Sequence, residues 1–110
     1  MHYLVEMRIV DQLRATTPKE GIAFIEQIVL PTLALCNKLR DEKKILAGGP
    51  MSGTIGLALL MDVGSPLELD EILISLPLWS RMTTHVTPLT TFDDRGRALQ
   101  AQIERLKALL

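Results

Sequence analysis

Leu76-Pro77-Leu78-Trp79-Ser80-Arg81-Met82-Thr83-Thr84-His85-Val86-Thr87-Pro88-Leu89 is the stretch from which the fold can be read. It holds the only Trp and one of the two His of a chain that is 4% aromatic. Apolar residues lead up to a Leu-Pro-Leu turn, because the residue before a proline is pushed out of helical geometry. A β-branched run follows, closed by Pro88, as expected of a strand at the edge of a sheet. A helix, a tight turn and a final strand over 82–91 are therefore predicted here.

The same patterns extend in both directions. Tyr3, Val5, Met7 and Ile9 alternate with Leu4, Glu6 and Arg8, which predicts a first strand with one apolar face. Residues 11–17 are a polar connection. Thr17, Pro18 and Glu20 give an N-cap, a proline at the first helical position and a capping carboxylate. Ile22, Ile25, Val29, Leu33, Cys36 and Leu39 then recur at helical spacing, with Pro31 predicting a kink or break. The helix ends in the charged run 38–44, whose lysines suit a C-terminal dipole.

A short apolar piece at 45–47 leads to Gly48-Gly49-Pro50, expected to turn the chain, and residues 54–63 read as a buried strand. Ser65-Pro66-Leu67-Glu68 opens a second helix with a capping box. Asp93 or Asp94 is the expected cap of a terminal helix carrying Leu99, Ile103, Leu106 and Leu110 on one stripe. The order β-α-β-β-α-β gives an α+β, ferredoxin-like fold: an antiparallel sheet with both helices on one face. One domain is expected over 1–110, with a core at 1–91 and an added helix at 94–110. The uncovered face of such a small sheet is expected to pack against a second sheet, giving a sheet-to-sheet dimer.

Composition narrows the function. The chain has 110 residues, 47% of them hydrophobic, and a mean hydropathy of +0.23. That is more apolar surface than one small core absorbs, which also favours a homo-oligomer. A net charge of −1 with scattered basic residues argues against a nucleic-acid partner or an anionic membrane surface. No apolar run in the sequence reaches the roughly 18–20 residues of a bilayer span. The N-terminus lacks the pattern of a secretory signal, so a cytoplasmic location is expected. The single Cys36 offers neither a disulfide nor a zinc pattern, and its place on an apolar helix face predicts a structural thiol. No metal or cofactor is expected.

The candidate chemistry lies on the strands. Thr83, His85 and Thr87 share one face of the last strand, and Glu6 and Arg8 share the less apolar face of the first. These strands are expected at or near opposite edges of the sheet, so that dimerisation brings Glu6, Arg8 and His85 from two subunits together. The cluster is then either a catalytic acid–base set or an ion-pair network in the interface. Trp79 either packs a core edge or walls a pocket in which Arg81 binds a carboxylate. Ser52, beyond the glycines, is a candidate at a pocket rim.

Ala47-Gly48-Gly49, Asp62-Val63, the helix from Ser65 to Leu73, Leu76-Pro77-Leu78-Trp79, Met82 and Val86-Thr87-Pro88-Leu89 together resemble the muconolactone isomerase family. Leu4-Val5-Glu6-Met7 is a looser match, and the resemblance covers roughly the first 91 residues. It implies dimers through the sheets, often assembled into rings. It also implies metal- and cofactor-free movement of a double bond in an unsaturated lactone by proton transfer. On that reading Glu6 or His85 moves the proton, Arg8 or Arg81 binds the anion, and Trp79 and Ser52 contact substrate. The chain departs from the family's polar pattern: Glu6 stands where a Lys is frequent, and Ser52-Gly53-Thr54 where a His-Tyr-Asn-like run is frequent. A non-catalytic oligomeric binding or structural protein of the same fold is the alternative.

Overall fold

The computed structural model describes residues 1–10 and 17–110; most of the connection expected over 11–17 lies outside them. Strand β1 (His2–Ile9) leads to helix α1 (Pro18–Phe24), a π-helical turn (Ile25–Val29) and helix α2 (Leu30–Asp41). Strands β2 (Ile45–Pro50) and β3 (Gly56–Asp62), helix α3 (Pro66–Ser75), a 3-10 turn (Trp79–Arg81), strand β4 (Met82–Leu89) and helix α4 (Phe92–Lys107) follow. The four strands form one antiparallel sheet in the order β2-β3-β1-β4. This is the ferredoxin-like arrangement, but β1 and β4 are direct neighbours rather than opposite edges.

The alternation of β1 decides which face is covered. Tyr3, Val5 and Met7 are buried with Ile45, Leu57, Leu59 and Met61 from the other strands. Leu69, Leu73 and Leu76 close this core from α3, and Leu33, Cys36 and Leu39 pack on it from α2. Both helices therefore lie on one face, and each fully buried aliphatic contributes about 1.5–3 kcal/mol.

The predicted helix starts are present. Thr17 Oγ1 accepts from the Glu20 N–H at 3.2 Å, and Ser65 Oγ accepts from the Glu68 N–H at 3.1 Å. The Glu68 carboxylate reaches back to the Gly64 N–H at 2.8 Å. The cap of α4 is Thr91, whose Oγ1 accepts from the Asp94 N–H at 3.0 Å; the two aspartates occupy the first turn instead. Gly48-Gly49-Pro50 is not a turn. It continues β2 through an irregularity between Ile45 and Ala47, with Gly48 at φ +110° and so close to β3 that a Cβ would lie 2.0 Å from the Ala58 carbonyl oxygen. Glycine alone fits there. The outer strands β2 and β4 each contain a proline, Pro50 and Pro88.

Pro31 neither breaks nor ends the helix. The turn before it widens, with the Leu30 N–H donating to the Ile25 carbonyl, five residues back. Widening moves the carbonyl at Gln27 away from the pyrrolidine ring and absorbs the missing donor. A π turn holds more residues than an α turn, so the stripe read at α spacing comes apart. Leu33, Cys36 and Leu39 pack on the core, whereas Ile22 and Ile25 are 58% and 50% exposed. Pro18–Asp41 is thus one helix of 24 residues with hydropathy 1.4, long and apolar enough by those measures to cross a bilayer. The sequence expectation missed this because Lys19, Glu20 and Glu26 interrupt the run. One side of its C-terminal half is committed to the sheet.

Thr32 is 0% exposed. Its hydroxyl donates to the Ile28 carbonyl at 2.8 Å and accepts from the buried Leu78 N–H at 3.1 Å. Replacing Thr32 by Val keeps the shape and strands the Leu78 amide, at a cost of about 1–3 kcal/mol. Urea unfolding is expected to show that loss for Thr32→Val and substantial recovery for Thr32→Ser.

Candidate functional site

The open face of the sheet is set by the register. Glu6, in the middle of β1, lies between Ala58 of β3 and His85 of β4. Arg8 lies between Gly56 and Thr83, and Leu4 between Leu60 and Thr87. Residues directly opposite one another in antiparallel strands have Cβ atoms about 4.5–5.5 Å apart. Glu6 and His85 are therefore side-chain neighbours within one chain, without a second subunit. Glu6 is half-buried while Arg8, Thr83 and His85 are exposed, and these four line a hollow of ≈ 320 Å³. Among the described residues, Glu6, Arg8 and His85 form no ion pair with one another, so a carboxylate, an imidazole and a guanidinium face the same space unengaged.

Small residues leave room beside this group. Ala47 and Gly49 of β2 pair with Leu60 and Ala58, so the same face carries Ala47, Gly49, Gly56 and Ala58 next to Glu6 and Arg8. At Gly56 a Cβ would stand 2.7 Å from the Met7 carbonyl oxygen and 2.9 Å from the Met51 sulfur. Sequence alternation places Thr83 on the face of His85 but does not reveal this small-residue floor. The signal was present: Gly56 and Ala58 alternate with Leu57 and Leu59. A mostly apolar stretch with β-branched residues at its ends reads as a buried strand, which hides that alternation.

The other candidates stand elsewhere. The Arg81 guanidinium lies 5.3 Å from the centre of the Phe24 ring, a cation–π contact. Phe24, with Ile9, Gly21, Ile25, Gly53, Thr54 and Ile55, lines a second, mainly apolar hollow of ≈ 390 Å³ at one end of the sheet. Ser52 is exposed in the β2–β3 loop at that end. Trp79 packs against the core, and its backbone N–H donates to the Leu76 carbonyl at 2.9 Å. Glu6, Arg8 and His85 thus form one group, while Arg81 and Ser52 lie near the second hollow. Among the described residues, no group of three or more His, Cys, Asp or Glu is placed to hold a metal ion.

The sequence profile of muconolactone delta-isomerases matches residues 1–95. The chain belongs to the muconolactone delta-isomerase family. Solved structures agree on the fold. Muconolactone isomerase itself is 23% identical, with a TM-score of 0.67 over 83% of this chain and 90% of that one. The 5-chloro-2-hydroxyhydroquinone dehydrochlorinase of Burkholderia phenoliruptrix, solved with 2,5-dihydroxybenzoquinone, is 20% identical. Its TM-score is 0.59, over 86% of this chain and 98% of that one. A search of curated protein sequences finds no match. This family member keeps the ferredoxin-like sheet and adds α4, most of which lies beyond the matched residues.

Cys36 lines a third hollow, of ≈ 250 Å³, between α2 and β2, and burial raises its thiol pKa above the ordinary value. The folded chain therefore keeps this proton where the unfolded chain has begun to lose it, and stability falls as pH rises through the unfolded thiol's range. Folded protein at neutral pH is expected to react with iodoacetamide more slowly than the urea-unfolded chain. Denaturation midpoints should drop between about pH 8 and 10 for the wild type and not through this group in Cys36→Ala.

Proposed function

We propose that this protein is a cofactor-independent enzyme that moves a proton within a small unsaturated ring compound, lactone- or quinone-like in shape. The observation that carries the reading is the cross-strand pair Glu6 and His85, with Arg8 and Thr83 around the same hollow. Membership of a family named for an isomerase supports it, as does a fold neighbour that processes a substituted hydroquinone.

The chemistry follows from the residue types. One member of the pair, as base, takes a proton from a carbon next to a carbonyl. The electrons left behind shift into the ring, and negative charge gathers on the carbonyl oxygen. Arg8 and the Thr83 hydroxyl donate to that oxygen or to a ring carboxylate. The other member returns a proton at a different carbon, so the double bond moves with no net change in oxidation level. Ala58 and Gly49 give a flat ring room to lie against the sheet. Arg81 and Ser52 lie at the Ile9–Met82 end of the sheet, next to Arg8 and Thr83, where the apolar hollow suits the less polar end of a substrate or a neighbouring subunit, while Trp79 packs on the core. A second copy packed sheet to sheet covers Leu4, Ala58 and Leu60 and excludes water from the pair.

Muconolactone in D2O, followed by proton NMR, tests the reading. Wild-type protein is expected to exchange ring protons and shift the double bond. Glu6→Gln and His85→Ala should each slow this by about 10²-fold or more, and Arg8→Met should mainly raise KM. Full activity in both Glu6→Gln and His85→Ala removes the assignment. Saturable binding without exchange by the wild type identifies a non-catalytic binding protein of the same fold. Light scattering should give a dimer or larger species at micromolar concentration, and a monomer contradicts the covered face.

A further inference from the structure

We infer that α4 is an assembly arm that pairs antiparallel with the α4 of a second copy of this chain. Among the described residues, the helix packs on no other element of its own subunit. Every residue from 90 to 110 is exposed, including Phe92 at 99%, Leu99 at 55%, Ile103 at 42% and Leu106 at 53%. The molecule measures 69 × 30 × 23 Å with a radius of gyration of 18.8 Å, against about 13 Å for a compact chain of this length. An isolated helix of this size is marginal in water. The arrangement therefore calls for a partner that covers the stripe.

The sequence of α4 specifies that partner. Phe92, Gly96, Leu99, Ile103, Leu106 and Leu110 fall at alternating intervals of four and three, the seam of a two-helix coil. Laid antiparallel on itself, the seam is self-complementary: Leu99 meets Ile103 of the second copy, Gly96 meets Leu106, and Phe92 meets the tail at Leu110. Gly96 is the telling residue. It interrupts the helix interior, where glycine is unfavourable relative to alanine. Yet a Cβ there would meet nothing within 4 Å, so its own subunit gives no reason for it. Opposite Leu106 of another copy it provides the space that a large side chain needs.

Charge agrees with the antiparallel direction. Asp93 flanks the seam in the first turn and Lys107 in the last, on the same side. The antiparallel pair sets Asp93 of each copy beside Lys107 of the other, with Gln100 against Gln100 at the two-fold axis. It also opposes the two helix dipoles. Parallel pairing brings like ends together. Four basic and three acidic side chains on α4 leave too little positive charge for an anionic membrane surface to be the better occupant.

The test uses full-length chains in a Cys36→Ser background with a short bis-maleimide at micromolar protein. Gln100→Cys is expected to give a covalent dimer at least tenfold faster than Ala101→Cys, which faces away from the seam. Asp93→Cys and Lys107→Cys should each cross-link poorly alone and efficiently when mixed. Adding Leu99→Glu and Ile103→Glu to Gln100→Cys should abolish the product while leaving the melting of the 1–91 body unchanged. Equal rates for Gln100→Cys and Ala101→Cys overturn the inference. So does self-linking of Asp93→Cys, or an unchanged yield in the glutamate variant. Binding of α4 to phosphatidylglycerol vesicles without cross-linking in solution overturns it as well.

Discussion

The Thr32 hydroxyl is the point on which the geometry of the polar face depends. It joins the helix just past the π turn to the amide of Leu78, and Leu78 is the hinge of the Leu-Pro-Leu turn. From there the 3-10 turn leads Met82 into β4 opposite Ile9. Every later pair in β4 inherits that starting point, including His85 opposite Glu6. A slip of one residue would turn His85 to the helix side and bring Thr84 or Val86 to the open face. A buried hydroxyl on one side of the sheet thus fixes which functional groups appear on the other. Leu76 and Leu78, both 2% exposed, hold the turn in the core and keep that linkage from wandering.

What the sequence revealed and what it hid follow from the range of the interactions concerned. The caps at Thr17 and Ser65 are satisfied within a few residues, and the alternation of β1 is a local periodicity, so both were legible. Glu6, Arg8 and His85 were found the same way, because strand alternation alone placed them on one side. The neighbour relation between β1 and β4 was not legible, since it is a property of the whole sheet. Gly48 was misread because a glycine demanded by a carbonyl of another strand looks the same in sequence as a glycine demanded by a turn. Pro31 was read correctly as an obstacle, but the helix has two ways around one, and the widened turn shows only in the backbone. Thr91 displaced Asp93 and Asp94 as a cap because the aspartates also profit from the positive end of the dipole.

Family membership and site chemistry carry different weight. The backbone follows muconolactone isomerase closely enough to superimpose most of both chains, at an identity of only 23%. In this chain the fold is held by buried positions on one face, Val5, Met7, Leu57, Leu59, Met61, Leu69 and Leu73. The polar face is under no such packing constraint. There, Glu6 and Ser52 can change without disturbing the buried core, since neither belongs to it. A sheet with one covered and one open face separates these two demands, since consecutive residues of each strand serve opposite sides.

The prolines of the outer strands have a consequence for how copies of this chain can meet. A sheet rim normally offers a row of free amides and carbonyls to any passing strand. Here both rims are spoiled, at β2 by the displaced backbone around Gly48 and by Pro50, and at β4 by Pro88. Neither can zip onto another sheet over its full length. A subunit held at high local concentration among its own kind is exposed to runaway polymerisation into fibrils. This one is steered away from that fate, because any copies that meet must do so without extending the sheet.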